Sequence, residues 1–197
     1  MCVTKKGVNK LSDRAKRKQR RLIMRTTILS IIALSIGYVF YTNFIQADTN
    51  RVEVGDRAPN FALMNMDGEK VELDDYRGEG VFLNFWGTYC PPCEEEMPYM
   101  ENQYQLYEDE DIEILAVNVG ENEVTVDRFV NRYQLTFPIL LDQNRDVLNA
   151  YGVNLLPATF LIDEQGEVIK RYIGGMSEQN VIDFMELINP APNEDGG

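Results

Sequence analysis

The apolar positions of the chain follow three different rhythms. From Thr26 to Ile45 twenty residues pass without a charge, TTILSIIALSIGYVFYTNFI. As a helix rising 1.5 Å per residue, that stretch matches the ~30 Å hydrocarbon core of a bilayer. Further on, Val81–Trp86 (VFLNFW) and Ile112–Val119 (IEILAVNV) are nearly continuous apolar runs, the pattern of central strands covered on both faces. Between them Met97, Met100, Tyr104 and Tyr107 share one helical face, so the spacing predicts a helix from about Pro91 to Glu108, kinked by Pro98. Val126, Phe129, Val130 and Tyr133 repeat the i, i+3, i+4, i+7 rule for a second helix, and Val147, Leu148 and Tyr151 mark a short third.

Two turn signals add hairpins. Phe61–Met64 and Lys70–Leu73 are short strands around Asp67-Gly68, and Ala158–Ile162 and Glu167–Ile173 flank Asp163-Glu164-Gln165-Gly166. Val181, Phe184, Met185 and Ile188 give a last helix. No element is assigned between residues 134 and 146. The order is βαβ, a further helix, an antiparallel hairpin and a C-terminal helix. It predicts an α/β domain with a central mixed sheet flanked by helices, the thioredoxin-like arrangement, preceded by one N-terminal transmembrane helix.

Charge sharpens the division. The net charge of −13 is uneven: residues 1–25 hold ten Lys or Arg against the single acid Asp13. The other 172 residues hold nine basic and 31 acidic groups. A body that acidic repels nucleic-acid phosphate. The basic arm precedes the apolar stretch directly, so the positive-inside rule places 1–25 in the cytoplasm and the remainder outside, with Tyr38 and Tyr41 toward the outer end. A cleaved signal peptide would have an apolar region of only about 7–15 residues ending in small residues. Ile45-Gln46-Ala47 is a poor cleavage site, and an uncleaved anchor over 26–45 is expected. The expected segments are an arm over 1–25, the anchor, a tether over 46–55, one domain over 56–188 and a tail over 189–197.

Composition narrows the chemistry further. There is no histidine, which excludes His-based acid/base catalysis, His-ligated metal and Cys-His or Ser-His pairs. Three cysteines are too few for a disulfide scaffold or a Cys-only zinc site, so no metal and no separate cofactor is expected. Cys2 lies in the basic arm and is incidental. Cys90-Pro91-Pro92-Cys93 stands where a buried strand meets an amphipathic helix. Two cysteines three apart in a first helical turn can close a disulfide. Unpaired N–H groups and the helix dipole favour a thiolate on the first, and Pro91 suits the helix start. Cys90 is therefore the expected nucleophile and Cys93 the resolving thiol. The alternative is a static bridge.

The stretches Gly55-Asp56-Arg57-Ala58-Pro59-Asn60-Phe61, Leu83-Asn84-Phe85-Trp86-Gly87-Thr88-Tyr89-Cys90-Pro91-Pro92-Cys93, Glu96-Met97-Pro98-Tyr99-Met100, Ala116-Val117-Asn118-Val119-Gly120 and Leu156-Pro157-Ala158-Thr159-Phe160-Leu161-Ile162 resemble the ResA branch of the membrane-anchored, TlpA-like thiol-disulfide oxidoreductases. The resemblance implies a thioredoxin fold and a reductase outside the cytoplasmic membrane. It implies a substrate, the disulfide of apocytochrome c haem-binding motifs, and an electron source, a CcdA-type membrane thiol donor. A sister role in spore-envelope disulfide reduction stays open, as does general disulfide reduction. A peroxiredoxin shares the opening motif but places Thr three residues before its cysteine, where Thr88 stands two before Cys90. Glu96 matches the family's functional glutamate, implying a carboxylate that disfavours thiolate formation and relays a proton. Glu94 and Glu95 read as acids complementing the helix dipole. The resemblance also implies a cis bond before Pro157, shaping the surface on which substrate lies in strand-like pairing. Trp86, the only tryptophan, is expected to pack beneath the site and not to take part in the chemistry. This chain carries Pro91 where the family has Glu, and Tyr89 where it has Trp, departures that bear on redox poise and partner fit.

Overall fold

The computed structural model describes residues 23–39, 41, 51–107 and 110–190. The chain divides into two units, Met1–Thr49 and Asn50–Gly197. In the first, residues 23–39 are helical, with Ile28, Leu29 and Leu34 among their exposed apolar side chains. Among the described residues no helix is long and apolar enough to cross a membrane. The anchor expected over 26–45 falls partly on residues outside the described set, where most of the arm, half of the tether and most of the tail also lie.

The second unit is built on one seven-stranded sheet. Its elements are β1 (Ala62–Asn65), β2 (Lys70–Glu72), a 3-10 turn (Leu73–Tyr76), β3 (Gly80–Trp86), α1 (Pro91–Leu106), β4 (Ile112–Val119), α2 (Glu123–Tyr133), β5 (Ile139–Asp142), α3 (Asp146–Ala150), β6 (Ala158–Ile162), β7 (Val168–Ile173) and α4 (Glu178–Ile188). The strand order is β2-β1-β5-β4-β3-β6-β7. β4 runs parallel to both β3 and β5, while β6 returns antiparallel to β3, with Asn84 opposite Thr159. This is the expected thioredoxin-like mixed sheet.

β5 is the element that periodicity does not predict. Ile139-Leu140-Leu141-Asp142 is too short after Pro138 to show a period, yet it pairs β4 on one side and β1 on the other. It thereby joins the N-terminal hairpin to the central sheet. Leu73 leaves β2 and opens the 3-10 turn, burying its side chain there. α1 runs through Pro98 without ending. The missing N–H of Pro98 leaves one carbonyl of the first turn without its helical donor.

Alternation along the central strands sorts the core into two layers. Phe82 and Trp86 face α1, α2 and α4, beside Met97, Met100, Phe129 and Phe184. Val81, Leu83 and Phe85 face the opposite way, onto Phe61, Tyr151 and Phe160. Phe85, Tyr151 and Phe160 meet with ring centroids 5.1–5.9 Å apart, worth about 0.5–1.5 kcal/mol per pair beyond burial. The β6–β7 hairpin turns through Gly166 at φ +82, and the Arg77 guanidinium lies where a side chain on Gly166 would project. Glycine is thus required there both by conformation and by space.

Candidate active site

Cys90 is the N-cap of α1, in extended conformation, and its carbonyl accepts the Glu94 N–H at 3.1 Å. Pro91 and Pro92 fill the first helical positions, where no intrahelical donor is needed. Cys90 and Cys93 are joined in a disulfide with their Cα atoms 5.3 Å apart. Cys90 is 7% exposed and Cys93 is fully buried, so a partner reaches only the first sulfur. Trp86 is buried in the same layer as both cysteines, its ring 5.0 Å from that of Phe129.

The loop that carries Cys90 is held by a carboxylate from the end of β4. Glu121 accepts the Thr88 N–H at 2.7 Å and the Thr88 hydroxyl at 2.6 Å, and the Asn118 amide donates to it at 2.9 Å. The Cys90 N–H donates back to the Gly87 carbonyl at 3.1 Å. Thr88 and Asn118 stand in the motif stretches of the sequence, but Glu121, which joins them, does not. The signal for this cluster is Asn118, a polar residue in the buried part of the strand Ile112–Val119.

Behind the disulfide lies a buried polar cluster. Glu96, one turn after Cys93 on the same helical face, is fully buried. The Asn84 amide donates to one of its oxygens at 2.9 Å and the Met176 N–H to the other at 3.1 Å. Asn84 also donates to the Thr159 hydroxyl at 3.1 Å, while its own carbonyl oxygen has no partner among the described residues. Burial pushes the Glu96 carboxyl up to about 7, against the two hydrogen bonds that favour its charged form. A group of that pKa gives and takes a proton near neutrality. Asn84 and Thr159 interrupt the apolar runs VFLNFW and ATFLI, a signal visible in the sequence but not interpretable without the facing helix.

The Leu156–Pro157 peptide bond is cis. The Pro157 carbonyl accepts the Gly174 N–H at 2.9 Å, which ties this loop to the segment before α4. That segment passes close to Pro92: a Cβ on Gly175 would come within 3.0 Å of it. Among the described residues Leu155 and Leu156 make no backbone hydrogen bond. Their side chains line a concavity of about 340 Å³ together with Tyr89, Cys90, Val119 and Arg145. A larger one, about 550 Å³, opens between β1, β5 and α3 and holds neither cysteine. Proximity to the sulfur, and not size, marks the smaller as the reactive one. The acids that open α1 part company: Glu94 accepts from the Tyr133 hydroxyl, and Glu95 is exposed. Among the described residues no group of His, Cys, Asp or Glu is placed to hold a metal ion.

The Redoxin family pattern matches residues 53–187. The chain is 53% identical over 173 residues to the thiol-disulfide oxidoreductase ResA of Halalkalibacterium halodurans, covering 88% of this chain and 98% of that one. It is 47% identical over 174 residues to the protein of the same name from Bacillus subtilis, covering 88% and 97%. Among solved structures it resembles StoA of Bacillus subtilis, with a TM-score of 0.58 at 28% identity, over 64% of this chain and 96% of that one. A Chlorobium tepidum structure, described as a candidate thiol:disulfide interchange protein of the DsbE type, gives a TM-score of 0.66 at 28% identity, over 70% and 98%.

Proposed function

Because the chain belongs to the redoxin family and is a thiol-disulfide oxidoreductase of the ResA type, we propose that it is a membrane-anchored reductant working outside the cytoplasm on the disulfide of apocytochrome c haem-binding motifs. The observation that carries the reductant reading is the buried Glu96 carboxyl behind Cys93, with its pKa raised to about 7. A strong oxidant stabilises its reduced form as a thiolate. A carboxylate beside the thiols opposes the helix dipole and works against that, so the dithiol gives up its electrons more readily. The apocytochrome assignment is supported by the motif resemblance around Cys90 and Pro157, and the anchor by the uncharged run 26–45 behind a basic arm.

In the reaction the reduced Cys90 thiolate attacks one sulfur of the substrate disulfide. A bond forms between Cys90 and that sulfur, the substrate's own S–S bond breaks, and the departing thiolate takes up a proton. Cys93 then loses its proton toward Glu96 and attacks the Cys90 sulfur. The mixed disulfide breaks, and the second substrate thiolate leaves and is protonated. Two electrons have passed to the substrate, and the domain is left with the Cys90–Cys93 disulfide. A CcdA-type membrane thiol donor restores the dithiol. The substrate segment lies beside Pro157, where Leu155 and Leu156 leave backbone groups available for strand-like pairing.

The test is to compare an oxidised Cys-x-x-Cys-His peptide with a scrambled disulfide of equal potential. Faster reduction of the first is expected. Equal rates would leave a general or spore-envelope disulfide reductase. A Cys93→Ala variant, which cannot resolve the mixed disulfide, is expected to hold its partner on Cys90 in intact cells for identification.

A further inference from the structure

Basic side chains are scarce in the second unit, and most are already engaged. Arg51, Lys70, Arg77 and Arg171 pair with carboxylates, and Lys170 lies over the Phe184 ring at 4.3 Å. Among the described residues, four arginines beyond residue 50 make no ion pair: Arg57, Arg128, Arg132 and Arg145. Three of these four border the loop 87–90. Arg145 lines the concavity of about 340 Å³ that contains Tyr89 and Cys90. Arg128 and Arg132, one turn apart on α2, line a second of about 220 Å³ on the Thr88 side.

The fold makes room for Arg145 beside Gly120. The backbone of Arg145 is left-handed, at φ +64, where a side chain is strained. Gly120, at φ +73, carries no Cβ, and one built there would fall 2.6 Å from the Arg145 Nε. The guanidinium therefore occupies the space that the missing side chain leaves. Of the acids near the loop, Glu121 accepts from Thr88 and Asn118, while Glu94, which accepts from Tyr133, lines the same concavity as Arg128 and Arg132. The concavity beside Cys90 is thus lined by Arg145 and by no acid, and in the other the two arginines outnumber Glu94.

We infer that this surface selects a disulfide flanked by acidic side chains, with Arg145 on one side of the loop and Arg128 with Arg132 on the other as specificity-determining residues. The inference rests on the reading that a protein disulfide docks over Cys90. The net charge of the whole unit repels an acidic partner at long range, whereas the arginines attract carboxylates only within about a Debye length, ~10 Å at 0.1 M salt. Preference should accordingly depend on where the acids sit in the substrate and not on how many there are.

Two oxidised peptides of identical composition and net charge isolate that dependence. One carries two glutamates beside the disulfide, and the other carries them at its far end. With the full-length reduced protein at low ionic strength, kcat/KM is expected to be about two- to five-fold higher for the first, the scale of an exposed ion pair. The advantage should shrink as salt is added. It should fall toward unity in Arg145→Gln and in the double variant Arg128→Gln with Arg132→Gln, and Arg145→Glu should turn it in favour of lysine-flanked peptides. Equal rates for the two peptides in the wild-type protein, or a preference untouched by salt, overturns the inference without any variant having to fold. Reduction of neither peptide would overturn the functional reading together with it.

Discussion

At the scale of single residues, Glu96 decides most. Its carboxyl has a pKa of about 7 in the fold against an ordinary 4.5, so the folded state binds its proton more tightly than the unfolded chain does. The stabilisation linked to that proton is complete below pH ~4.5 and is lost as pH rises through about 7. Its size is on the order of 3 kcal/mol, from 1.36 kcal/mol per unit. The expected result is a decline in urea midpoint across that window for the wild type, and a flatter profile for Glu96→Gln. The same variant removes negative charge near the pair. Its apparent thiol pKa in the reduced protein, followed by alkylation rate against pH, is expected to fall. A titration and a stability profile both identical to wild type would reduce Glu96 to a helix residue with no part in proton transfer.

At the scale of elements, α1 is fastened at both ends by carboxylates. Glu121 grips the loop before it, and near its C-terminal end Glu101, 8% exposed, accepts the Thr136 N–H at 2.7 Å and the Thr136 hydroxyl at 2.6 Å. Glu101→Ala removes both bonds to Thr136, which is exposed and can turn to water, and should cost about 0.5–1.5 kcal/mol, whereas Glu101→Gln keeps an acceptor and should cost less. Equal midpoints for the two variants in chemical denaturation would show that the bond carries no weight. The sheet meets α4 with as little slack. A Cβ on Gly80 would come within 2.0 Å of the Ile188 carbonyl oxygen, so Gly80→Ala is expected to displace the end of α4 and lower the thermal midpoint by several degrees. An unchanged midpoint would contradict that close approach.

At the scale of the whole molecule, the prediction concerns sidedness. If the basic arm stays in the cytoplasm and the second unit is exported, membrane-impermeant thiol reagents should label reduced Cys90 in intact cells, while Cys2 is labelled only after lysis. The reverse order of labelling would overturn the anchor orientation. A mature protein beginning near Asp48 would overturn the uncleaved anchor. Charge sets a second whole-molecule property. Thirty-one acids against nine bases beyond residue 25 favour encounter with basic surfaces, while the arginines beside Cys90 act within about a Debye length.

The alternation of apolar residues, the Cys-Pro-Pro-Cys turn and the two hairpin signals are local, and local pattern is what a sequence displays. They determined the order of the strands and helices other than β5, the family resemblance and, through it, the positions of Cys90, Cys93, Glu96 and Pro157. β5 was not legible, because three apolar residues and an aspartate have no period and their strand identity comes from β1 and β4 on either side. Asn84 and Thr159 stood out as polar residues in apolar strands, but only the packing of β3 against β6 and α1 turns them into the setting of Glu96. Arg145 gave no signal at all. Its distance in sequence from Cys90 is large, and its place beside the sulfur follows from a glycine on another strand end that leaves it room. Hydrophobic periodicity reports which face of an element is buried. Which side chains then meet across elements depends on register and close approach, and these exist only once the chain has folded.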